Sequence, residues 1–328
     1  MTVLFPTNGN RWVMNCKVLL TGGLGYVGGR LALALHEAGH FVRCGTRRNE
    51  LSPPTWLPEM QLVHTDWEST ESLTQVCQGV DCVVHLAAMN EVAASTNSIG
   101  ALQMNGVSSL RLLEAAKVAG IHRFIYFSTA HVYGAPLIGA IDETVLPKPM
   151  HSYAISHKVT EDFVLAAHHH NEIDGVVVRL SNCFGAPVTP DIDRWTLLVN
   201  DLCRQAVVTR QMRLKSIGTQ QRDFITLGDV GRALIHLLRL DAEELGDGLF
   251  NLGGGSTMST LEMAKRIALR YSTLTGCQVA IVQPPCSGYI PPLFTYRCEK
   301  LTATGFSLLR EIDREIDDTL KLCMRAFG

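Results

Sequence analysis

A glycine-rich turn between a strand-like run and a helix-like run constrains this chain more than any other feature. Residues 17–21 lead directly into TGGLGYVG, in which Gly23, Gly25 and Gly28 form the pattern GxGxxG. Such glycines allow a tight turn and a close approach of the backbone to a pyrophosphate, whose charge then lies at the free N–H groups of the following helix. The pattern is weak alone, but between a strand and a helix it predicts a dinucleotide-binding unit.

The rest of the first half repeats the alternation of strand and helix. Near-continuous apolar runs predict strands at residues 17–21, 41–45, 60–65, 82–86, 124–128 and 175–180. Helical spacing of apolar residues predicts helices at residues 26–38, 69–78, 101–119 and 152–169. Buried strands separated by helices indicate a parallel sheet covered on both faces. The predicted fold is α/β, a Rossmann-type doubly wound parallel sheet with a smaller C-terminal substrate-binding lobe.

The 328 residues are enough for about two structural units. We predict an N-terminal extension at 1–15, a dinucleotide-binding domain at 16–180 that a strand near 249–252 completes, and a substrate-binding lobe that occupies most of 181–328. The turn-rich stretch 283–292 is either a loop over a cleft or a plain surface connection.

Composition narrows the class of partner and compartment. Lys plus Arg total 29 and Asp plus Glu total 31, so the net charge of −2 gives no electrostatic case for nucleic acid or an anionic membrane. The ten cysteines include no CxxC pair, which is typical of buried, reduced thiols. The chain has no apolar run of about 20 residues, and its start lacks the features of a signal peptide. We expect a cytoplasmic protein.

Three consecutive histidines, His168 to His170, are the one obvious candidate for a metal site. Consecutive residues of a helix point in different directions, and no neighbouring carboxylate or cysteine completes a ligand set. The run is therefore predicted to be a solvated helix end, and no metal is expected.

The end of the second strand indicates which nicotinamide cofactor would bind. A carboxylate at this position usually accepts hydrogen bonds from the ribose hydroxyls of NAD, but none occurs between Glu37 and Glu50. Arg47 and Arg48 follow the strand instead, and a guanidinium group suits a 2′-phosphate. This favours NADP over NAD, unless the two arginines are only solvated surface charges. Asp66, after the third strand, is placed either to meet the adenine edge or to cap a helix.

Six segments, in this order, carry a family resemblance. They are TGGLGYVG at 21–28, HLAA at 85–88, FSTAHVYG at 127–134, SYAIS at 152–156, RLSNCFG at 179–185 and QRDFITLGDV at 221–230. Together they resemble the extended short-chain dehydrogenase/reductases, in particular the NAD(P)-dependent nucleotide-sugar epimerase and dehydratase group. The resemblance implies that a sugar nucleotide lies across the cleft beside a bound nicotinamide.

The turn, the arginines and the matched segments together define the predicted binding residues. The predicted cofactor-binding residues are Gly22, Gly23, Gly25, Tyr26, Val27, Gly28, Arg47, Arg48, Asp66, Leu86, Ala87, Ala88, Ser128 and Tyr153. The resemblance places Asn182 and Arg222 at the nucleotide diphosphate, where Arg222 offers a bidentate donor. Arg222 could instead pair with Asp223.

Tyr153 is the predicted acid/base, and Thr129 is predicted to orient the substrate oxygen. The family pattern then requires a lysine four residues after the tyrosine, to lower the pKa of the phenol and bond the nicotinamide ribose. This chain has His157 there and Lys158 one place later. A protonated His157 would stabilise the phenolate, with a shorter reach and an ordinary pKa near 6.5. Lys158 could reach the site only through a local bulge of the helix.

His131 is a second candidate for proton transfer. The 4,6-dehydratases of the family carry a glutamate at this position, so its absence weakens a dehydratase reading. An imidazole facing the sugar is a competent acid/base for epimerising a carbon next to a ketone. The alternative is a histidine that only hydrogen-bonds substrate or backbone.

These observations predict an NADP(H)-dependent oxidoreductase or epimerase that acts on a nucleotide-linked sugar. Three alternatives remain open: a reductase of an apolar carbonyl compound, a nucleotide-sugar dehydratase, and a non-catalytic NADP(H)-binding regulatory protein in which His157 has replaced the lysine. Related enzymes dimerise through the helices that correspond to 101–119 and 152–169, so a homodimer is expected.

Overall fold

The computed structural model describes residues 15–285 and 292–328, and a parallel sheet of seven strands is its largest element. In chain order the strands are β1 (Lys17–Thr21), β2 (Phe41–Thr46), β3 (Gln61–His64), β4 (Cys82–His85), β5 (Arg123–Thr129), β6 (Gly139–Ile141), β7 (Asp174–Leu180), β8 (Asn182–Phe184), β9 (Gln211–Arg213), β10 (Gln221–Thr226), β11 (Leu249–Leu252), β12 (Thr257–Ser259), β13 (Ala280–Val282) and β14 (Phe294–Tyr296). The large sheet has the order β11-β7-β5-β4-β1-β2-β3, with every pair parallel. The predicted doubly wound α/β class is confirmed.

Helices cover both faces of this sheet. In chain order they are α1 (Tyr26–Glu37), α2 (Thr70–Cys77), α3 (Glu91–Thr96), α4 (Ser98–Ala101), α5 (Ser109–Val118), α6 (Ser152–His169), α7 (Leu198–Thr209), α8 (Leu227–Arg239), α9 (Ala242–Leu245), α10 (Thr260–Thr275), α11 (Glu299–Ala303) and α12 (Ile312–Phe327). A π-helical segment spans Leu102–Ser108, and a 3₁₀ helix spans Ala130–Tyr133. Within the described ranges, no helix is long and apolar enough to cross a membrane.

Alternation along the strands divides the core into two layers. Successive side chains of a strand point to opposite faces, so Leu20 and Leu19 of β1 enter different layers. The layer of Leu20 contains α1 and α8, and the layer of Leu19 contains α2, α5 and α6. The predicted extension at 1–15 lies, up to residue 14, outside the described residues. Most of the stretch predicted to be a loop at 283–292 also lies outside them, because 286–291 are not described.

The helix predicted at 101–119 is wrong as a single α-helix, because the π segment interrupts it. The side chain of Asn105 accepts a hydrogen bond from the Met89 N–H at 2.6 Å and donates one to Ser156 Oγ at 3.0 Å. The Thr160 hydroxyl of α6 donates to the Asn105 carbonyl oxygen. The contacts of Asn105 with Met89 and α6 compete with the regular i→i−4 hydrogen bonds of an α-helix, and a π turn accommodates them.

The second half of the chain contributes to both lobes. A three-stranded sheet of β8, β10 and β12 packs with α7, α10 and α12 around a separate core that includes Phe224 and Ile316. Strand β11 returns to the large sheet, where Phe250 lies beside Val178 of β7, and α8 packs against α1. The strand expected near 249–252 is β11.

A buried ion pair ties α6 to the sheet. Arg179 of β7 donates to Glu161 of α6, with Nη2 to Oε2 at 2.7 Å, and the Ser128 hydroxyl of β5 donates to Glu161 Oε1 at 2.5 Å. The Glu161 side chain has no solvent exposure, and that of Arg179 has 3%. Loss of one member would leave the other charged and buried without its partner.

We predict that Glu161→Gln lowers the free energy of unfolding by about 3–5 kcal/mol, because the Arg179 charge loses its counterion in a dry site. Equilibrium unfolding in urea measures this. The matched control is Asp162→Asn, which breaks the exposed pair with Lys158 and should cost less than about 1 kcal/mol. Equal losses in the two variants would show that the buried pair has no special role in stability.

Candidate active site

A cavity of about 910 Å³ lies between the two lobes, at the carboxyl ends of the sheet strands. The segments that follow β1, β2, β4, β5 and β7 line one wall, and β8, β10 and the loop before α7 line the other. In a parallel sheet, the carboxyl ends of the strands meet at one edge, where ligands of such folds bind. Most of the predicted site residues therefore lie around one space.

The glycine turn closes one end of the cavity. Gly22 has φ +72°, and Gly25 N–H donates to the Gly22 carbonyl oxygen at 2.9 Å. A Cβ at Gly28 would lie 2.1 Å from that same oxygen, so only glycine allows the helix to approach the turn this closely. Helix α1 then begins with no side-chain cap and no acidic residue in its first turn. Its free N–H groups fit a pyrophosphate, which supports a dinucleotide at this end.

The other predicted cofactor residues divide into those that line the cavity and those that do not. Those that line it, besides the catalytic candidates, are Gly22, Gly25, Tyr26, Val27, Gly28, Arg47, Leu86, Ala87, Ala88 and Ser128. Gly23 is not among the lining residues, and a Cβ there would lie 2.8 Å from Cys44 Sγ. Arg48 is not among the lining residues either. The hydroxyl of Thr21 accepts from the N–H groups of Leu86 and Ala87, at 3.2 Å each, and so fixes the segment after β4.

Asp66 lies outside the lining, although its neighbour Trp67 contributes to it. The Asp66 carboxylate accepts from the Glu68 N–H at 2.9 Å. The cap of α2 is Ser69, whose hydroxyl accepts from the Ser72 N–H at 3.1 Å. Asp66 therefore holds a turn before α2, and Trp67 offers the cavity a flat apolar surface that the sequence interpretation missed.

Tyr153, Thr129 and His157 line the middle of the cavity. The rings of Tyr153 and His157 meet edge to face, with centroids 4.5 Å apart. Thr129 Oγ1 accepts from the His131 N–H at 3.2 Å, as the cap of the 3₁₀ helix. This bond uses a lone pair of the oxygen. The hydroxyl proton of Thr129 is therefore still available to donate to a substrate oxygen.

The environment of the His157 ring disfavours the protonated form. His157 is 3% exposed, and its Nδ1 lies 2.6 Å from the neutral Tyr126 hydroxyl. Burial lowers the pKa of His157 to about 3, so the imidazole is neutral near pH 7. Burial likewise raises the pKa of Tyr153 to about 12, and the nearby Cys183 and Glu91 act in the same direction.

Lys158 does not take the place of the family lysine in the cavity. Its ammonium group pairs with Asp162 one turn later on α6, and it is not among the lining residues. Helix α6 is α-helical throughout, so the bulge that would bring Lys158 inward is not formed. The histidine run ends this helix, with His170 as its C-cap, and no cluster of metal-ligating side chains occurs in the described part of the chain.

His131 lines the cavity beside a second histidine that the sequence interpretation did not single out. The rings of His131 and His151 meet edge to face at 5.5 Å, and His151 caps α6 by accepting from the Ala154 N–H at 3.3 Å. His131 Nδ1 is buried and has no hydrogen-bond partner among the described residues. Burial lowers the pKa of His131, while Glu91 opposes this effect.

Positive side chains from the second lobe face the cavity. Arg222 lines it, and its Nε is buried without a partner in the part of the chain that the structure covers. The alternative pair with Asp223 is not formed: that carboxylate accepts from Ser181 Oγ at 2.5 Å and from the Gly254 N–H at 2.8 Å. Asn182 also lines the cavity and donates to the Asp223 carbonyl oxygen at 3.0 Å.

Arg194 and Lys215 complete this positive wall and were missed by the sequence interpretation. Neither belongs to a recognisable motif, because only the tertiary fold of the lobe brings them to the cavity. With Arg47 and Arg222 they give, among the described residues, four cationic lining residues against one acid, Glu91. A site of this composition attracts an anion with more than one charge.

Comparisons with known proteins agree on the family. The model of the NAD dependent epimerase/dehydratase family matches residues 18–253. A UDP-glucose 4-epimerase from Azospirillum brasilense is 31% identical over 76% of each chain. The structure of MoeE5 in complex with UDP-glucose and NAD superposes with TM-score 0.76 at 24% identity, covering 95% of this chain and 100% of that one. RMD from Pseudomonas aeruginosa complexed with NADPH gives TM-score 0.73 at 21% identity, over 95% and 99%.

We predict that Arg222→Gln weakens binding of UDP by at least tenfold, equivalent to about 1.5–3 kcal/mol for a lost charge-assisted hydrogen bond. Isothermal titration calorimetry measures the dissociation constant. Arg213→Gln removes an exposed guanidinium of β9 that does not line the cavity, and it serves as the matched control. Unchanged affinity in Arg222→Gln would remove Arg222 from the anion site.

Proposed function

The chain belongs to the NAD dependent epimerase/dehydratase family, and from this premise we propose that it is an NADP(H)-dependent oxidoreductase or epimerase of nucleotide-linked sugars. One observation carries the proposal: a single cavity joins the free start of α1, the Tyr153 and Thr129 hydroxyls, and Arg222, whose Nε has no partner among the described residues. These are the parts needed to hold a dinucleotide, transfer a proton and hold a second diphosphate.

The residues at the glycine-turn end of the cavity support NADP over NAD as the cofactor. Arg47 lines the cavity after β2, and it forms no ion pair among the described residues. A guanidinium group free of a carboxylate suits a 2′-phosphate. The structural neighbours were solved with either NAD or NADPH, so the fold accommodates both. When bound, the nicotinamide takes or supplies the hydride.

The residues of the second lobe support a nucleotide sugar as substrate. Arg222, Arg194 and Lys215 supply positive charge for a diphosphate, which the MoeE5 neighbour binds as part of UDP-glucose. An apolar carbonyl substrate would leave the half-buried Arg194 and Arg222, and the exposed Lys215 beside them, without an anion to bind. For this reason we rank the reductase of an apolar carbonyl compound below the nucleotide-sugar enzyme.

Each catalytic candidate has one task at the sugar. The Thr129 O–H donates to the reacting oxygen and fixes its position above the phenol. Tyr153 holds the proton that this oxygen gains or loses. His131, with Nδ1 buried and unsatisfied, is available to exchange a proton with a carbon next to a ketone, which is the step that epimerisation of such a carbon needs. A dehydratase would use a carboxylate at this position, and the non-catalytic alternative would use none of these groups.

The proposed activity is tested by incubating the protein with NADPH or NADP and with UDP-, dTDP- and GDP-linked sugars and ketosugars, followed by mass spectrometry and NMR. Turnover of a nucleotide sugar that is lost in Tyr153→Phe supports the proposal. Binding of cofactor without any turnover would favour the regulatory alternative. Turnover restricted to apolar ketones would favour the alternative of a reductase of an apolar carbonyl compound.

We also propose a cytoplasmic homodimer. Exposed apolar side chains lie along α4, the π segment and α6, including Ile99, Leu102, Ile155 and Phe163. Ile99 is 85% exposed, which is unfavourable unless a partner covers it. The same helices form the dimer contact in the resembling enzymes.

We predict that Arg47→Ala reduces the preference for NADPH over NADH by about 1–3 kcal/mol, since a charged hydrogen bond to the 2′-phosphate is lost. Titration of nicotinamide fluorescence measures both affinities. Arg48→Ala, outside the cavity lining, is the matched control and should keep the preference. Equal affinities for the two cofactors in the unmodified protein would contradict the assignment.

We predict a dimer by light scattering at micromolar concentration and a monomer for the double variant Ile99→Asp/Phe163→Asp, because each charge would be desolvated in the contact. Leu269→Asp, on the exposed side of α10 in the other lobe, is the control and should remain dimeric. A monomeric unmodified protein would rule out this assembly.

A further inference from the structure

A buried histidine lies directly before residues 86–89, which line the cavity after β4 and are called the wall segment below. His85 has no solvent exposure. Its Nδ1 lies 2.6 Å from Thr21 Oγ1, and its Nε2 lies 2.8 Å from Ser109 Oγ. Three aromatic rings surround the imidazole, with centroids 5.5 to 5.9 Å away: Trp67, Phe124 and Tyr126. Both ring nitrogens therefore have a polar partner in an otherwise apolar pocket.

The lone pairs of Thr21 Oγ1 determine where the protons of this group lie. The oxygen accepts from the Leu86 and Ala87 N–H groups, at 3.2 Å each, and these bonds use both of its lone pairs. The Thr21 proton therefore goes to His85 Nδ1. A neutral imidazole that accepts at Nδ1 carries its proton on Nε2, so Nε2 donates to Ser109 Oγ. Burial lowers the pKa of His85 to about 3, in agreement with a neutral ring.

The hydrogen bonds continue into the π segment. Ser109 Oγ accepts from His85, so its own proton is free, and it donates to the Met104 carbonyl oxygen at 3.5 Å. Met104 belongs to the π segment and lines the cavity. Thr21, His85, Ser109 and the Met104 carbonyl thus form one series of hydrogen bonds, in which every donor points the same way. Such an arrangement strengthens each bond in it.

The π segment also holds the far end of the wall segment. Asn105 Oδ1 accepts from the Met89 N–H at 2.6 Å, and Asn105 Nδ2 donates to the Met89 carbonyl oxygen at 3.2 Å. The near end is held by Thr21, which the series connects to the same π segment. The backbone of the wall segment is therefore fixed at both ends before any ligand binds.

We propose that His85 and Ser109 are positioning residues for the dinucleotide, which hold the wall segment in its binding shape and couple cofactor binding to the π segment. This inference rests on the dinucleotide of the proposed function and adds two residues to its support. Neither side chain is among the described residues that line the cavity. A wall that is already ordered spares the cofactor the cost of ordering it, and the coupling is reciprocal.

Loss of the Ser109 hydroxyl should disturb the wall segment from a distance. His85 Nε2–H would lose its acceptor in an apolar pocket, which favours the tautomer with the proton on Nδ1. That tautomer donates to Thr21 Oγ1 and competes with the wall N–H groups for its lone pairs. The Leu86 N–H keeps a second acceptor, the Thr21 carbonyl oxygen at 3.3 Å. The Ala87 N–H is therefore the more sensitive of the two.

Amide hydrogen exchange, followed by NMR without cofactor, tests the positioning role. Ser109→Ala should speed exchange of the Ala87 N–H at least tenfold and that of the Leu86 N–H by less. Ser109→Thr keeps the hydroxyl and should keep the slow rate. Ser108→Ala, the same change at a neighbouring buried serine outside the series, is the matched control. Equal Ala87 exchange in Ser109→Ala and Ser108→Ala overturns the proposal.

The tautomer of His85 gives a test that needs no variant. Nitrogen-15 NMR of the unmodified protein should show the proton of the neutral His85 ring on Nε2. A proton on Nδ1 overturns the proposal, even if every substitution at Ser109 fails to fold.

Titration with NADPH tests the coupling. Ser109→Ala should raise the dissociation constant about threefold to tenfold, and Ser108→Ala less than twofold. NADPH should slow exchange in Leu102–Ser108 of the unmodified protein but not of Ser109→Ala, while residues 22–28 slow in both. Slowing confined to 22–28 in the unmodified protein overturns the coupling and leaves the proposed function intact. If neither NADPH nor NADH binds, the proposed function fails, and Ala87 exchange without cofactor still decides whether Ser109 holds the wall segment.

Discussion

The close approach of α1 to the turn after β1 is the contact on which both halves of the cleft depend. Gly28 lies so near the Gly22 carbonyl that no side chain fits, and the start of the helix is left open toward the cavity. The same helix reaches the second lobe. The Tyr26 hydroxyl donates to the Gly185 carbonyl oxygen at 2.8 Å, and Arg30 pairs with Glu315 of α12 at 2.5 Å. One helix therefore closes the glycine-turn end of the cavity and holds the second lobe across from it.

Helix α6 positions Tyr153 and His157 in the middle of the cavity. Tyr153, His157 and Glu161 recur at a spacing of four residues, so they lie one above another on the side of the helix that faces the sheet. Glu161 anchors the middle of α6 to β7 through Arg179. The hydrogen bond from Thr160 to Asn105 fastens α6 to the π segment. The position of the phenol thus depends on buried polar contacts within about two helical turns of Tyr153, and the irregular π segment is part of that support.

The sequence was most informative where function needs a local backbone shape. The strand, glycine turn and helix at 17–37 were predictable, because a side chain at Gly28 would collide with the Gly22 carbonyl oxygen. The place of Tyr153 in the cavity lining was predictable because its motif is contiguous. Arg194 and Lys215 gave no local signal, since only the fold of the lobe turns them toward the cavity. The π segment could not be predicted either, because its cause is a set of contacts with residues fifty positions later.

The charge state of His157 shows most clearly what a sequence cannot supply. An imidazole in water titrates near pH 6.5, whereas burial lowers the pKa of His157, which is 3% exposed, to about 3. Among the described residues, Arg47 of one lobe and Arg222 of the other line the cavity, and Tyr153, Thr129 and His157 line it between them. Burial has the largest effect on the protonation of Tyr153 and raises the pKa of its phenol to about 12. Because His157 stands where the family pattern has a lysine, this face of α6 supplies no ammonium group to oppose that effect.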